Sequence, residues 1–436
     1  MTLETRTLDG WAGWVVVALV VAVTAVLFIA AVRTKSRPAT ALTYSGPANR
    51  DLRIDLLRGV AIVFIVVNQV GLVSVFQTAS HEAIGIVTGA ELFVLLSGVV
   101  LAMVHRSTVA SGGIGEVVIR TTRRATKLYG AALAVVLLAL GISLIPGISG
   151  PSMVTFTDGN RIPGSSGTVA DLAASAGQLL SYPVSPGIIV DLALLRLGPW
   201  QFSVMGLYVV LLLVSPLLLW LLSRRWWVPL LATSVGLYLL SATTNIRLLP
   251  SQFEDSFPLL TWQLLFVVGL LGGYYRREIV AWFSTKWGTV MLGVLVALAV
   301  ALAILSWNNP FLSSAADARL GLIPDATFRD AYGAYFERTY LDVGRLLNVV
   351  LVVIALYALL TAYWAPISRA VGWFFIPLGQ ATLYVFIVHV FFALLVWNIP
   401  ALTEGSLWLN SAVYVVILGL LWVLVKTKFL FQLVPR

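Results

Sequence analysis

Arg53, Asp55 and Arg58 stand at the entrance of a long apolar stretch, and Asn68 and Gln69 lie near its far end. Asp55 and Arg58 are three residues apart, so on a helix they share one face. At 1.5 Å of rise per residue the polar pair sits about 15 Å beyond Arg58. Guanidinium groups placed there suit a phosphate or carboxylate, Asp55 can orient Arg58 or hold a hydroxyl, and the two amides can hydrogen-bond hydroxyl or carbonyl groups. Proton transfer needs a titratable group, and two stand inside apolar runs: Glu91, with Ser97 and Gly98 about two turns on, and His389, the one histidine amid a span. Each has a plainer reading. Glu91 can be a structural carboxylate paired to Arg196 or Arg345, His389 a hydrogen-bonded core residue, and the Asp55–Arg58 pair an anchor for a helix end. Arg196 and Gln201 ahead of one apolar run, Trp262 and Gln263 at the head of another, and Arg345 with Asn348 one turn apart complete the polar set. Arginines and amides there suit sugar hydroxyls, while Trp200 and Trp262 suit either a sugar face or interfacial anchoring. His81 and Glu82 fall on a short connection, where reach to a glycan and plain solvation both fit.

The elements that position these groups are membrane helices. Hydrophobic residues make up 59% of the 436 and charged residues 11%, against about 25% charged in soluble domains. The fold class is therefore all-α, a polytopic integral membrane protein. Apolar runs long enough to cross the bilayer lie near 11–32, 57–77, 84–104, 128–146, 200–222, 226–243, 258–275, 288–306, 344–363, 378–398 and 406–426, giving about eleven transmembrane helices. With the N-terminus outside and the C-terminus inside, inner segments collect most of the Lys and Arg, among them Arg33, Arg37, Arg106, Arg120, Arg123, Arg124, Lys127, Arg276 and Lys428. The net charge of +9 is thus a topology signal, and nucleic acid is not an expected partner.

The first run is longer than an ordinary signal-peptide core and is followed by no small-residue cleavage site, so it reads as a retained helix. Residues 1–49 form an extra transmembrane helix with a basic inner linker, and 50–436 a ten-helix membrane domain. Two longer outer loops, 147–195 and 307–343, are rich in Gly, Ser, Pro, Asp and Asn. The inner segment 107–127 reads as a basic amphipathic helix that either covers lipid headgroups or helps hold a phosphate-bearing donor. With no cysteine and only three histidines, no metal site and no tightly bound cofactor are expected.

Several ordered blocks add a resemblance. Arg-Asp-Leu-Arg-Ile-Asp-Leu-Leu-Arg-Gly-Val-Ala at 50–61, Gly-Ala-Glu-Leu-Phe-Val-Leu-Leu-Ser-Gly at 89–98, Leu-Gly-Pro-Trp-Gln-Phe-Ser-Val-Met-Gly-Leu-Tyr at 197–208, Thr-Trp-Gln-Leu-Leu-Phe-Val-Val-Gly at 261–269 and Leu-Gly-Gln-Ala-Thr-Leu-Tyr-Val-Phe-Ile-Val-His at 378–389 resemble, in that order, OpgC-type membrane acyltransferases. The resemblance implies a bacterial cytoplasmic-membrane enzyme that takes a succinyl or acetyl group from cytoplasmic acyl-CoA to a hydroxyl of an envelope glycan or glycolipid. It also implies an Asp-His pair at the far end of the helix that opens with Arg-Gly, the histidine acting as base. Asn68 and Gln69 occupy those positions. A glutamine amide does not accept a proton near neutral pH, so Glu91 or His389 must supply the base, or the chain is a silent glycan-binding member. A glycolipid transporter or flippase is the remaining alternative; it would favour inverted repeats, and none is visible.

Overall fold

A computed structural model describes residues 6–35, 44, 46, 50–148, 154–156, 169–311, 318–403 and 405–432. Its helices, in chain order, are α1 (Gly10–Lys35), α2 (Leu52–Val70), α3 (Val75–Ser80), α4 (Gly89–Ala110), α5 (Ile114–Ser143), α6 (Val204–Ser223), α7 (Trp227–Thr244), α8 (Leu259–Tyr274), α9 (Lys286–Ser306), α10 (Asp325–Tyr335), α11 (Val343–Ala362), α12 (Trp373–Gln380), α13 (Thr382–Trp397) and α14 (Leu407–Lys426), with shorter helical pieces between. The protein is an all-α polytopic membrane protein. Among the described residues eight helices are long and apolar enough to cross a membrane, or nine if the sharply bent pair around α12 and α13 is one span.

All eleven apolar runs are helical. The two runs beyond those nine are α2, which carries three charged residues in its first two turns, and α8, which has 16 residues where a straight span needs about 20. Two expectations are corrected. The segment 107–127 is no separate surface helix: α5 runs unbroken for 30 residues, and Val117, Thr121, Ala125, Leu128 and Ala132 form one buried stripe at helical spacing. The run 378–398 is not one straight helix, because the helix breaks at Ala381, four residues after Pro377.

The long loops carry structure of their own. Helices at Leu172–Leu180 and Pro186–Ala193 occupy the first, and the second contributes α10 and a strand, Ala318–Leu320, parallel to Arg6–Leu8. Residues 149–153 and 157–168 of the first loop, 312–317 of the second, and most of the basic linker, Arg37 included, lie outside the described residues.

The chain divides into two compact units. The first comprises Met1–Phe93, Tyr275–Thr382 and Ser406–Thr427. Its centre is the crossing of α2 with α12, where the backbones touch: a Cβ on Gly59 would overlap the Phe375 carbonyl, and one on Gly379 the Asp55 carbonyl. Small residues are how membrane helices reach such closeness. Asp51 caps α2 by accepting from the Arg53 N–H at 3.1 Å, and Gly71, with φ at +73°, ends it. Tyr414 of α14 pins that end, its hydroxyl donating to the Val67 carbonyl (2.8 Å) and accepting from the Leu72 N–H (3.0 Å). α1 is held by the Arg6–Leu8 strand and by Tyr363, which donates to the Leu27 carbonyl, and it leaves Trp11, Leu19 and Val26 exposed.

The second unit comprises Val94–Tyr274, Leu383–Gly405 and Lys428–Arg436. Here α5 packs along α6 and α8 along α7.

Candidate functional site

At the head of α2 the charges are already engaged. Arg53 grips Asp51 through Nε (2.9 Å) and Nη2 (2.8 Å), donates from Nη1 to the Thr361 hydroxyl (2.8 Å), and lies between the rings of Tyr44 and Tyr357, 4.0 and 4.3 Å from their centroids. Tyr357 donates to the same carboxylate at 2.9 Å, and Arg276 reaches it as well. Burial works against a charge on Asp51, but Arg53, Tyr357 and Arg276 outweigh it and hold the carboxyl below its ordinary pKa. Asp55 accepts from Arg50 at 2.5 and 3.1 Å and from Gln380 at 3.3 Å. Arg58, half-buried one turn on, donates to the Thr382 hydroxyl at 2.5 Å.

At the far end of α2, the Asn68 carbonyl oxygen accepts from the Ser80 hydroxyl at 3.3 Å and lies 3.4 Å from Nδ1 of His81. Gln69 beside it is half-buried. A groove of 380 Å³ borders Ser80, its one hydroxyl; Val63, Phe64, Phe76, Trp373 and Trp422 line the rest.

Glu91 is fully buried with both oxygens occupied. Oε1 accepts from Arg345 at 2.8 Å, and Oε2 from the Thr88 N–H (2.7 Å) and hydroxyl. Arg345 extends the network to Glu82, to the Tyr332 hydroxyl (2.9 Å) and to the Phe336 carbonyl (2.9 Å), and Glu82 also accepts from Asn309 (2.9 Å) and Tyr332 (3.0 Å). This is the structural pairing to Arg345 rather than to Arg196, which instead pairs with Asp191 at 3.0 Å. Three donors on its two oxygens, in a place closed to solvent, make this a structural carboxylate. Asn348, one turn beyond Arg345, packs its fully buried amide against Gly85, and neither amide atom finds a hydrogen bond among the described residues.

In the second unit His389 is fully buried and its Nδ1 lies 2.6 Å from the Phe386 carbonyl. A carbonyl oxygen only accepts, so Nδ1 carries the proton and the neutral ring keeps its lone pair on Nε2. Phe386 stacks on Phe202, beside Gln201, whose buried amide has no hydrogen bond among the described residues. Gln263 is spent on helix packing: it accepts from the Ser234 hydroxyl (2.7 Å) and donates to the Ser234 and Leu260 carbonyls (2.9 and 3.0 Å). Trp262 is fully buried and edge-on to Phe257 at 4.7 Å, so it is a core residue, not an interfacial anchor or an open sugar platform.

Comparison with known proteins decides the family. Residues 50–432 match the family model described as OpgC protein. The chain belongs to the OpgC protein family. Members are, at the family level, membrane O-acyltransferases acting on glycans. No curated protein and no solved structure matches the chain. The OpgC match begins one residue before the Asp51 cap of α2 and takes in every group described above except Tyr44; α1 also lies outside it.

Sequence reading missed Asp51, Glu82, Thr88, Asn309 and Tyr332 as partners within this OpgC-family chain. Asp51 with Arg53 and Thr88 with Glu91 are local pairs that spacing alone could have suggested, whereas Glu82, Asn309 and Tyr332 come together with Arg345 only once the chain has folded.

Proposed function

We propose that the protein moves an acyl group, succinyl or acetyl, from cytoplasmic acyl-CoA to a hydroxyl of an envelope glycan or glycolipid, in a bacterial cytoplasmic membrane with its N-terminus outside and C-terminus inside. The observation that carries this reading is the family match over residues 50–432. The layout of α2 supports it. Arg50, Arg53, Arg58 and Arg276 outnumber Asp51 and Asp55, with which three of them pair, and leave one end with a positive excess suited to the donor's phosphates, and Asn68 and Gln69 put hydrogen-bonding groups about 15 Å further along. In the reaction the sugar oxygen bonds to the acyl carbon, the carbon–sulfur bond breaks, coenzyme A leaves as thiolate, and the hydroxyl proton passes through a base to that thiolate. Glu91, held by Arg345 and Thr88, and His389 are both fully buried, so neither is open to a substrate hydroxyl.

Gln69 favours a second reading, a family member that binds glycan without chemistry. One assay separates the two. The full-length protein in lipid is given succinyl- or acetyl-CoA with glucan, galactan and mannan oligosaccharides, and thiol release is followed in wild type, His389→Ala and Gln69→His. Glycan-dependent release by wild type supports acyl transfer. Release only by Gln69→His supports the silent member, and release by neither overturns the acyl-transfer reading.

A further inference from the structure

We infer that His81, oriented by Asn68, is the group that takes the proton from the acceptor hydroxyl, an assignment that rests on the acyl-transfer reading above. After α2 the chain reverses at Gly71 and returns as α3, which brings His81 back over Asn68 thirteen residues earlier in the chain. The Asn68 oxygen can only accept, so the proton of the neutral ring sits on Nδ1 and the lone pair on Nε2. The separation of 3.4 Å is long, as such contacts often are without substrate. Of the three histidines, His105 and His389 are buried, and His81 is exposed where a water-borne hydroxyl can reach it.

The turn bearing His81 is braced far beyond what a solvated connection needs. Glu82 adopts φ of +57°, a conformation costly for a residue with a Cβ. Its carboxylate is fixed by Arg345, Tyr332 and Asn309, its carbonyl by Ser306, and the next carbonyl, of Ala83, by the Trp307 indole at 2.7 Å. The buried Glu82–Arg345–Glu91 network thereby fixes the backbone next to His81, which is the rigid support that a catalytic group requires. The charges facing the ring are Glu82 and Glu91 of one sign and Arg338 and Arg345 of the other. Desolvation by the surrounding protein holds the imidazole below its usual pKa, with the two arginines adding to the effect against the two carboxylates, so the ring is neutral at pH 7.

In the step itself Nε2 accepts the hydroxyl proton as the sugar oxygen attacks the thioester carbon. The carbon–sulfur bond then breaks, and the imidazolium returns the proton to the departing thiolate.

The test uses the full-length protein in lipid nanodiscs with the thiol-release assay. His81→Gln and His81→Ala are expected to lose about 10²- to 10⁴-fold in kcat with thermal unfolding unchanged, and added imidazole to restore part of the loss in His81→Ala. Asn68→Leu is expected to lower kcat more than it alters KM, and Asn68→Asp to retain turnover. Nitrogen-15 histidine spectra give a second readout: the Nδ1-protonated form at His81 in wild type, scrambled in Asn68→Leu. Wild-type turnover in His81→Gln overturns the inference and leaves acyl transfer standing, as does an Nε2-protonated His81. No thiol release from wild type with any acceptor removes the acyl-transfer reading and this assignment together.

Discussion

Arg345 and Glu91, 254 residues apart in the chain, meet at 2.8 Å with no more than 1% of either side chain exposed. Arg345 serves a second carboxylate, Glu82, in the same pocket. Removing the arginine therefore strands two buried charges. Arg345→Ala is expected to cost about 3 to 5 kcal/mol or more, and Glu91→Gln less, because Arg345 keeps Glu82. Thermal unfolding of the purified protein in detergent reports the ordering; equal stability of Arg345→Ala and wild type would refute the network's structural role.

The α2–α12 crossing allows no side chain at Gly59 or Gly379. Gly59→Ala and Gly379→Ala should each cost about 1 to 3 kcal/mol as the backbones are pushed apart. Gly236→Ala on α7, where a Cβ meets nothing within 4 Å, should be neutral or slightly stabilising. Melting temperatures of the three variants decide the matter.

Asp51 gives a pH signature. Its folded pKa lies below the unfolded value, so its contribution is present above the ordinary carboxylate range and is lost as pH falls through the folded pKa. Asn retains the helix cap but not the charge. The stability gap between wild type and Asp51→Asn should be full at pH 6 and shrink below about pH 4, and a gap constant down to pH 3 would contradict the assignment.

Gln263 holds α8 to α7 by accepting from the Ser234 hydroxyl and donating to the Ser234 carbonyl. Gln263→Leu is expected to lose about 1 to 3 kcal/mol by leaving the Ser234 hydroxyl unmatched. A role in sugar recognition would instead raise KM for the glycan at unchanged melting temperature, and the two measurements together tell which residue role is correct.

Much of this architecture was legible in the sequence because hydrocarbon thickness and helical rise leave few choices for runs such as 288–306. Asp55 and Arg58 read correctly as the head of a helix for the same reason. What escaped was the use of polar groups. An aromatic beside an amide at a helix start, as in Trp262-Gln263, looks the same whether it faces a sugar or clamps a neighbouring helix. Glu91 could be assigned only once α11 had brought Arg345 alongside. The length of α5 was hidden by its arginines, which suggested a surface helix although Thr121 and Ala125 face protein.

The remoteness of Arg345 from its two carboxylates bears on biogenesis. A ribosome adding about 5 to 20 residues per second delivers Glu82 and Glu91 on the order of 10 to 50 s before the arginine that neutralises them. Throughout that interval the nascent α4 must hold back from its final seat or carry its glutamate protonated, and synthesis of α11 is the event that lets the earlier helices settle.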